Sequence, residues 1–200
     1  MRPLSDLLLH ICCAPCSVAC VHQLREEGTE PTGFWYNPNI HPYLEYKARR
    51  DALRDYAKSI GLALREEDFY GLRPFTAAVA AHPEQRCGYC YACRMEETAR
   101  YAAEHGFARF STTLLISPYQ NRELLCAAGE AAAARHGLTF VPYDFRPRFR
   151  EGQEEARALG LYMQKYCGCV YSEEERFSNR RKKELHRQHK AAAQGRSPQG

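Results

Sequence analysis

The sequence has no long apolar run. Its N-terminal one covers about seven residues, far short of the ~20 that a spanning helix needs, and no signal-cleavage pattern follows it. No membrane partner is therefore expected. The expected compartment is the cytoplasm, where stable structural disulfides are rare. Strong charge of one sign is missing too. A net +4 over 200 residues permits a nucleic-acid partner without demanding one. No internal repeat is present, and no low-complexity segment is longer than residues 190–200. The length suits one domain with a small appendage.

What the chain does have is cysteine, ten in all. Thiols at short spacing in a reducing compartment point to metal or redox chemistry, although any one of them can serve as a small core residue. The densest group closes the run Leu7-Leu8-Leu9-His10-Ile11-Cys12-Cys13-Ala14-Pro15-Cys16. The apolar part has the length of a buried strand, and Pro15 sits where proline opens a helix at no cost in hydrogen bonds. The thiols thus fall at a strand-to-helix turn. In open α/β sheets that edge holds ligands, and a helix N-terminus favours thiolate.

Along the chain, strands are expected at Leu7 to Ile11, Pro31 to Tyr36, Leu62 to Glu66, Phe107 to Thr113 and Leu138 to Pro142. Helices are expected from Pro15 to Glu27, Tyr43 to Ile60, Gly71 to His82, Asn121 to Arg135 and Glu173 to His189, with glycines as stops. Arg86 to Cys93 reads as a compact cluster leading into a helix that ends near His105, and the stretch from Asp144 onward reads as irregular. This alternation specifies a Rossmann-like parallel sheet covered by helices on both faces. The expected division is a catalytic α/β domain over residues 1–178, then a basic helix end and tail over residues 179–200.

Cys12 and Cys13 can face one metal centre if the backbone turns sharply after the strand. Cys87-Gly88-Tyr89-Cys90 is a C-x-x-C, a spacing that lets two thiolates meet one ion. Together the two pairs supply four thiolates. Cys167-Gly168-Cys169 can close a small, strained and easily reduced disulfide, ligate a metal, or hold two free thiols. Cys20, Cys93 and Cys126 read as packing residues.

Tyr162, Tyr166 and Tyr171 can stack a base or fill core. Asn37, Asn39 and His41 sit in a loop at the same sheet edge, where asparagine before proline is ordinary turn chemistry. Ser111, Thr112, Thr113 and Ser117 can contact phosphate or cap the following helix. Asp144, Arg146 and Arg148 can grip a nucleic-acid backbone or pair locally. Arg180 to Lys183 is a solvated helix face or an RNA contact. Asn37, His41, Tyr119 and Asp144 remain open as proton donors.

The motifs Leu9 to Ser17, Tyr36 to Pro42, Arg86 to Tyr91, Ser111 to Tyr119, Asp144-Phe145-Arg146 and Tyr166 to Cys169, in that order, resemble those of the epoxyqueuosine reductases of the QueH type over residues 7–178. The resemblance implies the fold of the adenine-nucleotide alpha-hydrolase group. The Ser- and Gly-rich phosphate loop of that group is replaced here by Cys12 to Cys16, so ATP use is not expected. It further implies a 4Fe-4S cluster on Cys12, Cys13, Cys87 and Cys90, and a redox-active pair Cys167–Cys169. An additional mononuclear iron is also implied, with Cys16 as the candidate contact.

The implied reaction converts epoxyqueuosine at the tRNA wobble position to queuosine, with an unidentified electron donor. Two alternatives stand beside it. One is a non-enzymatic zinc module that binds RNA through the same four cysteines. The other is an ATP-dependent sulfur transferase of the same fold group, which requires the missing phosphate loop.

Overall fold

A computed structural model describes residues 6–178; the expectations for residues 179–200 lie outside the described residues. The strands are β1 (Leu7–His10), β2 (Thr32–Trp35), β3 (Leu64–Glu66), β4 (Arg109–Thr112) and β5 (Thr139–Phe140). They form one sheet in the order β3-β2-β1-β4-β5. Every neighbouring pair is parallel. Central β1 is paired on both edges and fully buried, which is why its sequence is an unbroken apolar run. Leu8 is opposite Thr32 on one side and Phe110 on the other.

The helices are α1 (Ala14–Glu26), α2 (Tyr43–Ser59), α3 (Leu72–Val79), α4 (Arg86–Glu104), α5 (Arg122–His136) and α6 (Phe149–Ala158). The strand order advances from β1 to β3 in one direction and from β4 to β5 in the other. Right-handed crossovers then place α1 and α2 on one face and α4 and α5 on the opposite face. The packing agrees: α1 lies against α2 and α6, and α4 against α5. The Rossmann-like α/β reading with helices on both faces therefore holds. The direction reverses between β1 and β4, so the crevice of a doubly wound sheet opens beyond their carboxyl ends.

Gly28 and Gly61 end α1 and α2 with φ of +79° and +66°, the left-handed conformation that closes helices. Three expectations need correction. The cysteine cluster at Arg86 to Cys93 does not precede a helix; it forms the first turns of α4 itself. The stretch after Asp144 is not irregular, because α6 occupies Phe149–Ala158. That helix buries only Gly152 and Ala156, so no apolar periodicity announced it. A Cβ built on Gly152 would lie 2.8 Å from that of Ala19, which shows how closely α6 and α1 approach. A 3-10 turn, Thr113–Ile116, follows β4. Residues 170–178 are helical, three residues earlier than expected.

Candidate metal and redox site

The turn after β1 delivers three thiols to one point. Cys13 takes the N-cap position of α1 with an extended backbone and no side-chain cap. Its neighbours Cys12 and Cys16 fold toward it, and the three sulfurs lie within 4.8 Å of one another, all buried. Cys12 and Cys13 are 3.8 Å apart. Cys12 is tied to the next strand end, because Thr113 Oγ1 accepts from its N–H at 3.1 Å and donates to its Sγ at 3.4 Å. Gln164 Nε2 donates to Cys13 Sγ at 3.0 Å and lies 3.7 Å from Cys16 Sγ.

The acidity of the trio is unequal. Cys12 is held well below the ordinary thiol range, first by hydrogen bonds from Cys13 and Cys16, with further help from the Arg94 charge and Thr113. Burial drives Cys13 up, and the hydrogen bonds given to Cys12 drive Cys16 up. Cys12 is therefore the readiest of the three to lose its proton, and the helix N-terminus does not favour thiolate equally at all three. A bound cation would draw off the remaining protons.

Arg94 is the second component. It projects from α4, is 2% exposed, and among the described residues pairs with no carboxylate. Its guanidinium donates to Asn37 Oδ1 at 2.5 Å and to Cys90 Sγ at 3.6 Å. Asn37 in turn donates to the Ile11 carbonyl at 2.9 Å, so β1, the loop after β2 and α4 are locked together. Cys90 is pushed up to about 12 by burial, against the pull of Arg94. A buried guanidinium without a counter-ion is costly. This one faces Cys12 and Cys90 together, a site that suits an anionic sulfur-rich occupant. Sequence reasoning missed Arg94, and its signal was the i, i+4 step from Cys90 on one helix face.

The neutral His10 ring stiffens the edge. Its Nε2 lies 3.2 Å from the Tyr36 carbonyl and 3.4 Å from the Arg94 Nε–H, and its Nδ1 hydrogen-bonds with Thr112 Oγ1 at 2.8 Å. Burial, then the Arg94 charge, lowers its pKa to about 3.

The third component is the loop of Cys167 and Cys169. Arg49 donates to the carbonyls of Cys167 (2.8 Å) and Tyr166 (3.0 Å), with Glu45 as its counter-ion at 2.7 Å. The Gly168 carbonyl accepts from the His41 N–H at 2.8 Å, and Ser172 accepts from the Gly168 N–H at 3.2 Å. A Cβ on Gly168 would meet Ile40 Cγ1 at 3.2 Å, so glycine here allows close approach. Both cysteines are free thiols; Cys167 is exposed, Cys169 buried against Cys90, Phe75 and Val79. Gln120 Nε2 points at Cys167 Sγ from 3.5 Å.

A cavity of about 740 Å³ joins these parts, lined by Cys12, Cys16, Arg94, Gln164 and Cys167 among others. A smaller apolar cavity of about 190 Å³ lies on the other side of Cys90 and Arg94. The close trio is Cys12, Cys13 and Cys16; Cys87 and Cys90 stand one turn apart on α4 and are not part of it. Cys20 is core, as expected, while Cys126 is half-buried and Cys93 edges the smaller cavity.

Among the other candidates, Ser111, Thr112 and Thr113 are engaged in holding strand ends rather than facing outward. Asp144 and Arg146 pair with each other at 2.7 Å, and Arg148 with Glu26. Asn37 and His41 are buried and engaged, whereas Tyr119 stands 86% exposed at the cavity rim. No helix among the described residues is long and apolar enough to cross a membrane.

Comparison with known proteins follows the same residues. The family description "Epoxyqueuosine reductase QueH" matches residues 7–175. The chain is similar to the epoxyqueuosine reductase QueH of Dehalococcoides mccartyi, 40% identical over 86% of this chain and 94% of that one. It is also similar to that of Haemophilus influenzae (35% identical, 92% and 77%) and of Thermotoga maritima (33% identical, 84% and 91%).

Proposed function

The chain belongs to the epoxyqueuosine reductase QueH family, and from that premise we propose that its site reduces epoxyqueuosine at the wobble position of a tRNA to queuosine. Membership makes it an oxidoreductase of tRNA processing. The reaction takes two electrons and two protons; both bonds to the epoxide oxygen break, that oxygen leaves as water, and the two ring carbons become a double bond.

The donor set fits a sulfur-rich metal group. Thiolate ligands select iron–sulfur clusters or zinc, and the buried trio is suited to a metal. In this reading Cys12, Cys13, Cys87 and Cys90 hold a 4Fe-4S cluster, and Cys16 is free to touch an additional iron beside it. When bound, such a group supplies one-electron steps and a Lewis acid for the epoxide oxygen.

The chain's own residues do the rest. Arg94 balances the negative charge of the cysteine cage from within the core. Gln164 fixes the Cys13 sulfur and leaves its buried Oε1 without a partner at the cavity wall. Cys167 and Cys169 store the electron pair, because a dithiol and its disulfide interconvert by exchange. Arg49, His41 and Ser172 hold their loop still. The modified nucleoside leaves its stack to reach the cavity, as bases must when chemistry is done on them.

The observation that carries this reading is the buried Arg94, which lacks a carboxylate and is turned toward Cys12 and Cys90 at the switch point of the sheet. The test is an anaerobic assay of the purified chain on tRNA containing epoxyqueuosine, with a chemical reductant. Conversion to queuosine is expected. A protein with its metal fully loaded that leaves the epoxide intact would overturn the reading.

A further inference from the structure

We propose that the outer face of α6, with Lys165, Arg176 and the exposed ring of Tyr119, is the clamp that seats an RNA backbone and one unpaired base over the cavity mouth. The proposal rests on the RNA-substrate reading above and names the residues that reading leaves open.

Three observations converge. First, α6 lies against α1 through Gly152 and Ala156, and the row beside that seam, Phe149, Arg150, Gln153 and Arg157, lines the large cavity. Second, Arg150, Arg157, Lys165 and Arg176 all line that cavity, all are exposed, and none makes an ion pair among the described residues. Elsewhere most surface arginines are matched, such as Arg25 with Glu30, Arg54 with Glu66 and Arg135 with Glu96; Arg65 and Arg73 are exposed without an ion pair among the described residues, but neither lines the cavity. Two carboxylates also reach the rim; Glu175 is taken by Arg86, and Glu154 alone opposes the four cations. Third, Tyr119 is 86% exposed on the same rim, with Phe149 set edge-on to it at 81° and 6.2 Å. A tyrosine left this open beside unpaired cations has the make-up of a single-strand binding surface, in which phosphates meet cations and a base stacks on a ring.

An acidic protein that donates electrons would find the same cations attractive. The mouth favours RNA, because it opens on Cys12, Cys16 and Cys167. The substrate must pass through it; electrons need no opening.

The test measures binding of an unmodified anticodon stem-loop RNA to the anaerobically purified full chain across a salt series. Arg150→Gln with Arg157→Gln should raise Kd about tenfold or more at physiological salt. The same pair should reduce the slope of log Kd against log salt by roughly 1.4 to 1.8, the loss of two phosphate contacts. Tyr119→Ala should weaken binding about tenfold and leave the slope alone. Arg135→Gln, a surface arginine with a partner, should change neither. Unchanged affinity and slope in the double variant would overturn the clamp. So would normal RNA binding combined with a loss of turnover that a chemical reductant restores, since the face would then serve a protein donor. The two readings fail separately. RNA held through these residues without epoxide reduction would sink the assigned reaction and keep the clamp. Reduction at unchanged KM by the double variant would do the reverse.

Discussion

At the scale of single residues, Arg94 shows how little a sequence reveals about charge balance. Only its i, i+4 step from Cys90 sets it apart in the chain from the other cations of α4, yet it alone on that helix turns inward between Cys90 and Asn37. Its lack of a counter-ion makes a prediction. Arg94→Met keeps the volume and removes the charge, so the gain in thermal midpoint on loading the metal group should shrink markedly against wild type. Equal losses in the loaded and empty proteins would assign Arg94 a packing role only.

His41 gives a second, independent prediction. Its Nε2 donates to the Pro38 carbonyl at 3.0 Å, its Nδ1 is buried without a partner, and burial lowers its pKa to about 4. The unfolded imidazole binds a proton below about pH 6.5, and the folded one does not until about pH 4. Stability should therefore fall as pH drops through that window, by at most about 1.4 kcal/mol per pH unit from this group. Urea unfolding at pH 7 and pH 5 should show a smaller drop for His41→Gln than for wild type.

At the scale of elements, legibility followed chemistry more than hydropathy. The turn after β1 was readable because an apolar run, two adjacent cysteines and Pro15 allow few other conformations. The helical C-x-x-C of α4 was readable as a pair of ligands but not as the start of a helix, since glycine and cysteine are poor helix signals. Helix α6 was invisible because its buried seam is made of Gly152 and Ala156, and that seam is testable. With only 2.8 Å available between a new Cβ and Ala19, Gly152→Val should force α6 away from α1 and cost about 1–3 kcal/mol in denaturant unfolding. Wild-type stability in that variant would mean the two helices are not in the contact described.

For the whole molecule, the parallel sheet followed from the alternation of strand and helix signals, whereas its strand order, and with it the switch point between β1 and β4, did not. Nor did the convergence of three distant segments. Cys12, Arg94 and Cys167 are far apart in sequence and share one cavity only because β1 lies beside both β2 and β4 and the C-terminal loop folds back over their ends. Periodicity carries no information about such meetings; the motif resemblance assigned Cys12 and Cys167 to one site and left Arg94 out. If Cys167 and Cys169 form the electron store, Cys167→Ser and Cys169→Ser should each keep the visible absorbance of the loaded protein and lose turnover. Full activity in both would exclude the relay.

The most direct measurement is the iron and acid-labile sulfide content of the anaerobically purified chain beside Cys12→Ala and Cys90→Ala. The expected result is about four of each per wild-type chain, as a 4Fe-4S cluster requires, with loss from both variants. Stoichiometric zinc with no labile sulfide in the wild-type protein would contradict it.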